Sequence, residues 1–434
     1  MQAKDSNFIH SPVFLTKKSS PSFSNSGNSK IAELSELLEE GVRDGVFPGA
    51  VALIASGESL VFFEAKGLRR HSVGISQVSS FSGAAKTERT SNPSLLPMNT
   101  DTIFDVAALT AGVVTTTILM RLIDTERVSL DERVSRYLDG FGVLGKSPIT
   151  LRHLLSHTAG LPSWYPFFEE LLRDNAASRL GILTTKGAHD YVITTICRSP
   201  IRGDIGSKSQ YSDVGMIVLG ALIENLTALS LDRAFYKFVA KPLGLKNSSF
   251  IDLSEVRRGT ITPYTDIIAP TEECSWRKRV LCGEVHDDNA WMMGGIAGHS
   301  GLFTSAKDLH IIARELRRAL RGESSFLSAN IANAFLAPGN INTNPSTGAS
   351  SNGFKIKLGW DSPSRENGLN QVSMSEKSFG YNGFTGCALW IDPEKNCDII
   401  LLTNRIFPTR LNKKISAFRA AFVQSALKIV EDKS

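Results

Sequence analysis

The chain has 434 residues, of which 42% are hydrophobic and 21% charged, a balance that belongs to a globular protein with a sizeable core rather than a disordered polyelectrolyte. The formal net charge of +5 is small for this length. The tightest basic group, Arg314, Arg317, Arg318 and Arg321, recurs at helical spacing, so it reads as a solvated helix face and no nucleic-acid partner is expected. No apolar run approaches the ~20 residues a bilayer requires, so no transmembrane segment is expected.

Residues 1–30 are Ser-rich, with no acid between Ser6 and Lys30 and no apolar run longer than Val13–Leu15. They read as a disordered tail without a signal-peptide core, with a transit peptide as the alternative, and a cytoplasmic location is the expectation. In residues 31–43, Ile31, Leu34, Leu37, Leu38 and Val42 share one face, which predicts an amphipathic helix. AVALIAS and SLVFFEAKG then read as two strands joined by a turn at Gly57. Residues 69–99 are rich in Ser, Thr and Gly and read as a surface loop.

From Thr110 to about residue 240 the pattern is helical, as in VVTTTILMRLIDTE and GMIVLGALIENLT. A further helix is expected after Ser305, a candidate N-cap. CALWIDP and CDIILLTN read as strands around Pro393–Asn396, and ISAFRAAFVQSALKIV as a terminal amphipathic helix. Strands at both ends and helices in the middle predict an α/β (α+β type) fold. In it an antiparallel sheet is backed by the terminal helices, with a helical lobe inserted between its halves. One domain is expected over 31–432, its α/β lobe from 31–107 and about 290–432, its helical lobe about 108–289. The cysteines, five in all, include no CxxC pair, and a reduced compartment is the simpler reading.

Several stretches agree in order and spacing with one known family: TIFDVAALT, ITLRHLLSHTAGLP, YSDVGMIVLGALIE, the run from Ala269 to Leu309, and GFTGCALWIDPEKNCDIILLTNR. From about residue 31 to 430 the chain resembles the serine β-lactamase and penicillin-binding-protein-like family, in the branch of class C β-lactamases, DD-peptidases and related esterases. The resemblance implies a β-lactamase/transpeptidase-like fold and a Ser-x-x-Lys pair opening a buried helix. At i and i+3 the two share a face, where the amine can take the hydroxyl proton. Here the Ser position is Ala108 and the Lys position is Ala111. The family's Tyr-x-Asn element corresponds to Tyr211-Ser212-Asp213. Its Lys-Thr-Gly or His-Thr-Gly corresponds to Tyr381-Asn382-Gly383, followed by Phe384, so the basic residue is absent. The resemblance also implies an oxyanion hole made of the backbone N–H groups of Ala108 and Phe384, which a side-chain replacement does not remove. Ala108, Tyr211, Asp213, Asn382, Gly383 and Phe384 are therefore the expected ligand-binding residues.

Other signals carry bland readings. Ser-x-x-Lys recurs at Ser275–Lys278 and Ser425–Lys428, two matches that chance supplies. Thr110 and Ser212 are hydroxyls near the pocket without an evident base. His153 and His157 have a zinc-helix spacing, but Leu154 stands where a metalloprotease needs Glu, so a structural role is expected. Gly298-His299-Ser300-Gly301 lacks the last glycine of a nucleophile elbow. His286–Asn289 reads as a loop that shapes the pocket or anchors its own backbone, and Cys387 as a buried thiol. No metal and no cofactor are expected. The expected function is a β-lactamase-related protein without its catalytic pair, holding a peptidoglycan-like peptide, a β-lactam or a small ester or amide. The alternatives are an active hydrolase with an unorthodox nucleophile and an interaction protein with a collapsed pocket.

Overall fold

The computed structural model describes residues 28–70, 96–178, 181–337, 339–340 and 355–432. Residues 1–27 and most of the Ser-rich stretch after residue 69 lie outside these ranges. Helix α1 (Asn28–Arg43) leads into the hairpin of β1 (Gly49–Ser56) and β2 (Ser59–Arg70), and the short β3 (Leu96–Pro97) pairs with β2. Strand β4 (Phe104–Asp105) precedes a π-helical segment, Ala111–Thr116, that continues into α2 (Thr117–Asp124). Then come α3 (Leu151–Leu155), α4 (Asp213–Thr227), β5 (Ser249–Phe250), α5 (Asp288–Met292), β6 (Leu302–Thr304) and α6 (Ala306–Leu320). Strands β7 (Phe379–Asn382), β8 (Ala388–Asp392) and β9 (Cys397–Thr403) and helix α7 (Ile415–Glu431) complete the chain.

The main sheet is antiparallel with the order β7-β8-β9-β1-β2-β3, so strands from the two ends of the chain meet where β1 pairs with β9. Residues along β1 alternate faces. Val51, Leu53 and Ala55 join the core shared with the helical region, while Ala50, Ala52 and Ile54 join the core under α1 and α7. Both faces are covered, which is why GAVALIAS is a continuous small-apolar run without polar alternation. Phe47 and Phe418 pack edge to face at 4.9 Å on the α1 and α7 side. A smaller sheet, β4-β6-β5, lies in the helical region beside α4, whose residues from Val214 to Ile223 are all buried. No single helix among the described residues is long and apolar enough to cross a membrane.

Ser305 caps α6 as its position suggests, accepting a hydrogen bond from the Asp308 N–H. The arginines of α6 are not simply a solvated face. Arg317 is fully buried, and its guanidinium donates to the Asp398 carboxylate at 2.7 Å and to the Gly57 carbonyl at 2.9 Å. Asp398 lies opposite Ala55 in the β1–β9 register, on the sheet face that α6 covers, so an arginine one turn in from the exposed stripe finds a buried partner. His310 completes the arrangement, 2.8 Å from the same carboxylate. Asp398→Ala should leave Arg317 buried without its counter-ion and lower stability by about 3–5 kcal/mol in urea unfolding. A loss no larger than the ~1 kcal/mol of an exposed pair would contradict this.

Candidate active site

The site begins where β4 ends. The Asp105 carboxylate accepts from the Ala107 N–H at 2.9 Å and from the His286 N–H at 2.7 Å. Burial raises its pKa, and these two donors offset part of the rise. Ala107 then takes φ +49°, a left-handed backbone that a residue with a Cβ seldom adopts. The twist sets the direction of the next peptide. The Ala107 carbonyl accepts from both the N–H and the hydroxyl of Thr110, at 3.0 and 2.7 Å. A trans peptide is planar, so the Ala108 N–H points the opposite way, and among the described residues it donates no hydrogen bond. Ala108 is partly exposed. Ala111 is fully buried one turn on, its N–H on the Ala108 carbonyl at 3.0 Å.

Facing this turn is the segment after β7. A Cβ at Gly383 would lie 2.5 Å from the Val106 carbonyl oxygen, so only glycine permits this approach. The Thr385 hydroxyl and the Cys387 thiol both donate to the Asp105 carbonyl, at 2.8 and 3.7 Å. Arg419 donates to the Gly383 carbonyl at 2.6 Å, and Arg405 holds the Phe384 carbonyl. The peptide between Gly383 and Phe384 is thus fixed by its oxygen, and the Phe384 N–H also donates to no described acceptor. Its ring is 51% exposed, with the Arg405 guanidinium 4.8 Å from the ring centroid and His286 stacked at 5.5 Å. The result is two oriented, unpaired N–H donors on two segments that are bolted together.

Deeper in, aromatic rings pack against one another. Tyr381 is 1% exposed and packs against Trp360 at 5.8 Å and Tyr211 at 6.3 Å. Trp360 covers the helix start, since a Cβ on Gly112 would meet its ring at 2.9 Å. The hydroxyls of Tyr211 and Tyr381 and the Trp360 indole N–H are buried without a partner. Tyr211 and Asp213 approach one another, yet not in the geometry of a hydrogen bond. Burial drives both phenols well above their ordinary range, so neither is a base at neutral pH. The His157 ring lies 4.8 Å from Tyr211, and burial pushes it down to about 4, so it is neutral as well.

Two carboxyls border these rings. Burial raises Asp213, and nearby His299 partly counters it. Asp361 is pushed up to about 7 by burial, with Glu366 adding to the rise. His299 is held 2.9 Å from Asp287, which also caps α5. Burial alone would raise Asp287, but the imidazole brings it down to about 2. At the rim, Arg410 binds Glu272 and Asp288, Arg277 binds Asp288, and Glu272 meets His286 at 3.1 Å. The loop 286–289 therefore anchors backbone and charge around the cleft.

A family model described as Beta-lactamase matches residues 34–424. The chain belongs to the beta-lactamase family. It is 28% identical over 395 residues to an N-acetylmuramyl-L-alanine amidase of Bacillus subtilis (strain 168), covering 87% of this chain and 81% of that protein. Among solved structures it resembles EstCE1, a hydrolase with promiscuous acyltransferase activity, with a TM-score of 0.62 at 19% identity, covering 90% of this chain and 99% of that one. It also resembles a penicillin-binding protein homologue from Caulobacter crescentus, with a TM-score of 0.59 at 16% identity and coverage of 92% and 98%.

Within this beta-lactamase-family fold, Ala108, Gly383 and Phe384 meet at the cleft, while Tyr211, Asp213 and Tyr381 gather behind them. Asn382 turns elsewhere, donating to the Asn367 carbonyl and accepting from the Trp390 indole. The nearby hydroxyls are engaged. Thr110 donates to the Ala107 carbonyl and accepts from the Leu302 N–H, and Ser212 caps α4 while donating to the Pro162 carbonyl at 2.6 Å. Ser275 and Lys278 lie in the turn of the hairpin that pairs Glu273–Cys274 with Arg279–Val280. Ser425 lines a groove of about 670 Å³ against α1, on the far face of the sheet. His153 serves the cap of α3 through Thr150, and no metal cluster forms among the described residues. Burial takes Cys387 up to about 11, so it is an inert thiol.

Asp361 gives the site a pH signature. Its folded pKa lies above the ordinary 3.8, so the stability its protonated form contributes is complete below 3.8 and is lost as pH rises through about 7. Asp361→Asn should match the parent in acid and exceed it by roughly 1–3 kcal/mol above neutrality, read from urea unfolding across pH. Parallel pH profiles for the two proteins would rule this out.

Proposed function

We propose that this chain has given up covalent catalysis and uses the cleft to hold the carbonyl or carboxylate of a small ligand against the N–H groups of Ala108 and Phe384. The observation that carries the reading is the pair of methyl groups at Ala108 and Ala111, where the family resemblance puts a nucleophile and its base. Alanine has no lone pair to attack a carbonyl and none to accept a proton. The hydroxyls nearest these positions, on Thr110 and Ser212, are committed to backbone hydrogen bonds. Two N–H donors in fixed peptides can still bind an oxygen, since such donors carry a large part of transition-state stabilisation in acyl-transfer enzymes. The family, together with a relative named for muramyl-L-alanine amide cleavage, supports an amide, ester or β-lactam ligand of peptidoglycan type.

One rival deserves a direct test. Ser300 has a buried hydroxyl without a partner beside His299, whose Nε2 meets Asp287 but whose Nδ1 is also unpartnered, so serine and imidazole are not hydrogen-bonded. Its burial argues against access by a substrate. A fluorophosphonate or fluorescent penicillin should leave no adduct by mass spectrometry, while an acyl-D-Ala-D-Ala peptide should give saturable heat in calorimetry. A covalent adduct on any residue, with turnover, would overturn the proposal. The triple variant Ala108→Ser, Ala111→Lys, Tyr381→His should gain measurable ester hydrolysis. A well-folded but inert triple variant would weaken the claim that the cleft kept its working geometry.

A further inference from the structure

Two large aromatic side chains stand open to solvent on the two sides of the cleft. Phe384 is 51% exposed and Trp164 is 47% exposed. Apolar side chains exposed singly are ordinary, whereas two rings at one site point to a binding surface. Phe384 is also the residue whose N–H is unpaired. The His286 imidazole stacks on its ring at 5.5 Å and the Arg405 guanidinium lies 4.8 Å from the ring centroid, so the ring is held in place rather than free to swing. Trp164 follows a segment fastened to the start of α4. The Asp213 N–H donates to the Ser163 carbonyl at 2.8 Å, and the Ser212 hydroxyl donates to the Pro162 carbonyl at 2.6 Å. Its own indole has no ring partner among the described residues.

The two sides are joined at two levels. In the floor, Tyr211, just ahead of Ser212 and Asp213, meets Tyr381, on the strand that leads to Phe384, with 6.3 Å between ring centroids. In the wall, the loop 286–289 touches both sides. His286 stacks on Phe384 at one end. At the other, the Asn289 amide donates to the Tyr165 carbonyl at 2.8 Å and accepts from the Phe168 N–H at 3.0 Å. Three residue steps separate His286 from Asn289, so this wall spans at most about 11 Å between their Cα atoms. A flat ring in contact on both faces takes up roughly 7–8 Å. A mouth of this width suits a single aromatic group.

We propose that Trp164 and Phe384 form an aromatic clamp that selects ligands carrying an aryl group within one or two bonds of their carbonyl. The inference rests on the reading that this carbonyl meets the N–H groups of Ala108 and Phe384, and it names the class of ligand those donors take. Phe384 supplies a donor and a ring from one residue. An oxygen seated on its N–H therefore brings the neighbouring atoms of the ligand beside its side chain, with Trp164 across the cleft. Stacked and edge-to-face rings gain beyond the area they bury. A saturated ring of similar volume would bury that area without the added gain, so aryl is selected over alkyl.

The test is calorimetry of the full chain with acetyl-, cyclohexylacetyl- and phenylacetyl-D-Ala-D-Ala. The phenylacetyl peptide should bind about tenfold or more tightly than the acetyl one, with the cyclohexylacetyl peptide between them. Trp164→Leu and Phe384→Leu keep apolar bulk at half-exposed positions, and the second keeps its N–H. Each should shrink the advantage of phenylacetyl over cyclohexylacetyl. Equal affinity for those two peptides in the parent, or an advantage that survives both variants, would overturn the clamp while leaving the donors intact. Should no peptide bind, the donor reading fails, and benzyl alcohol, which has no carbonyl, decides the clamp alone through tryptophan fluorescence. Saturable quenching that Trp164→Leu abolishes would uphold it, and an unsaturable response or one indifferent to that variant would overturn it.

Discussion

The cleft depends on two peptide planes whose carbonyl ends are tied. Thr110 takes the oxygen of Ala107, Arg419 takes the oxygen of Gly383, and each tie turns the following N–H the other way. The approach of Gly383 to Val106, closer than any side chain would allow, brings the two planes to the same place. This arrangement is made almost wholly of backbone and of residues one step removed from any ligand. Its geometry therefore does not depend on which side chains stand at positions 108 and 111.

The rest of the site follows from what fills the space instead. At positions 111 and 381 the chain has a methyl group and a phenol. Tyr381 extends the aromatic packing of Trp360 and Phe379 and buries well, but it leaves its hydroxyl without a partner. Apolar contact stabilises the rings while unmet polar atoms oppose them, and burial together with Glu366 pushes the neighbouring Asp361 up to about 7.

The large elements were legible in the sequence because their signals are local. The period of Leu34, Leu38 and Val42, the apolar run of β1, the cap at Ser305 and the strands around Pro393–Asn396 all stand as expected. The order of motifs pointed to Ala108, Tyr211 and Tyr381 as neighbours, and Tyr211 and Tyr381 do lie ring to ring at 6.3 Å. What stayed hidden were long-range partners. Nothing near Arg419 or Arg405 in the sequence points to a turn that precedes them by more than twenty residues. Trp360 and Asp361 lie in an aperiodic stretch that gains meaning only when β7 lies beside it. Arg317 was misread for the same reason, since helical spacing reports which residues share a face but not what covers it.

The wide helical segment at Ala111–Thr116 has a consequence of its own. Thr116 and Thr117 send their hydroxyls back to the carbonyls of Ala111 and Gly112, five residues earlier, which fixes the one-residue bulge of such a winding in place. Deleting a single residue here would let the coil tighten to its ordinary pitch, and everything before the bulge would swing by about 100° around the axis. Ala108 would then look into the core instead of the cleft, so the length of this stretch, as much as its chemistry, decides what any atom restored at that position could touch.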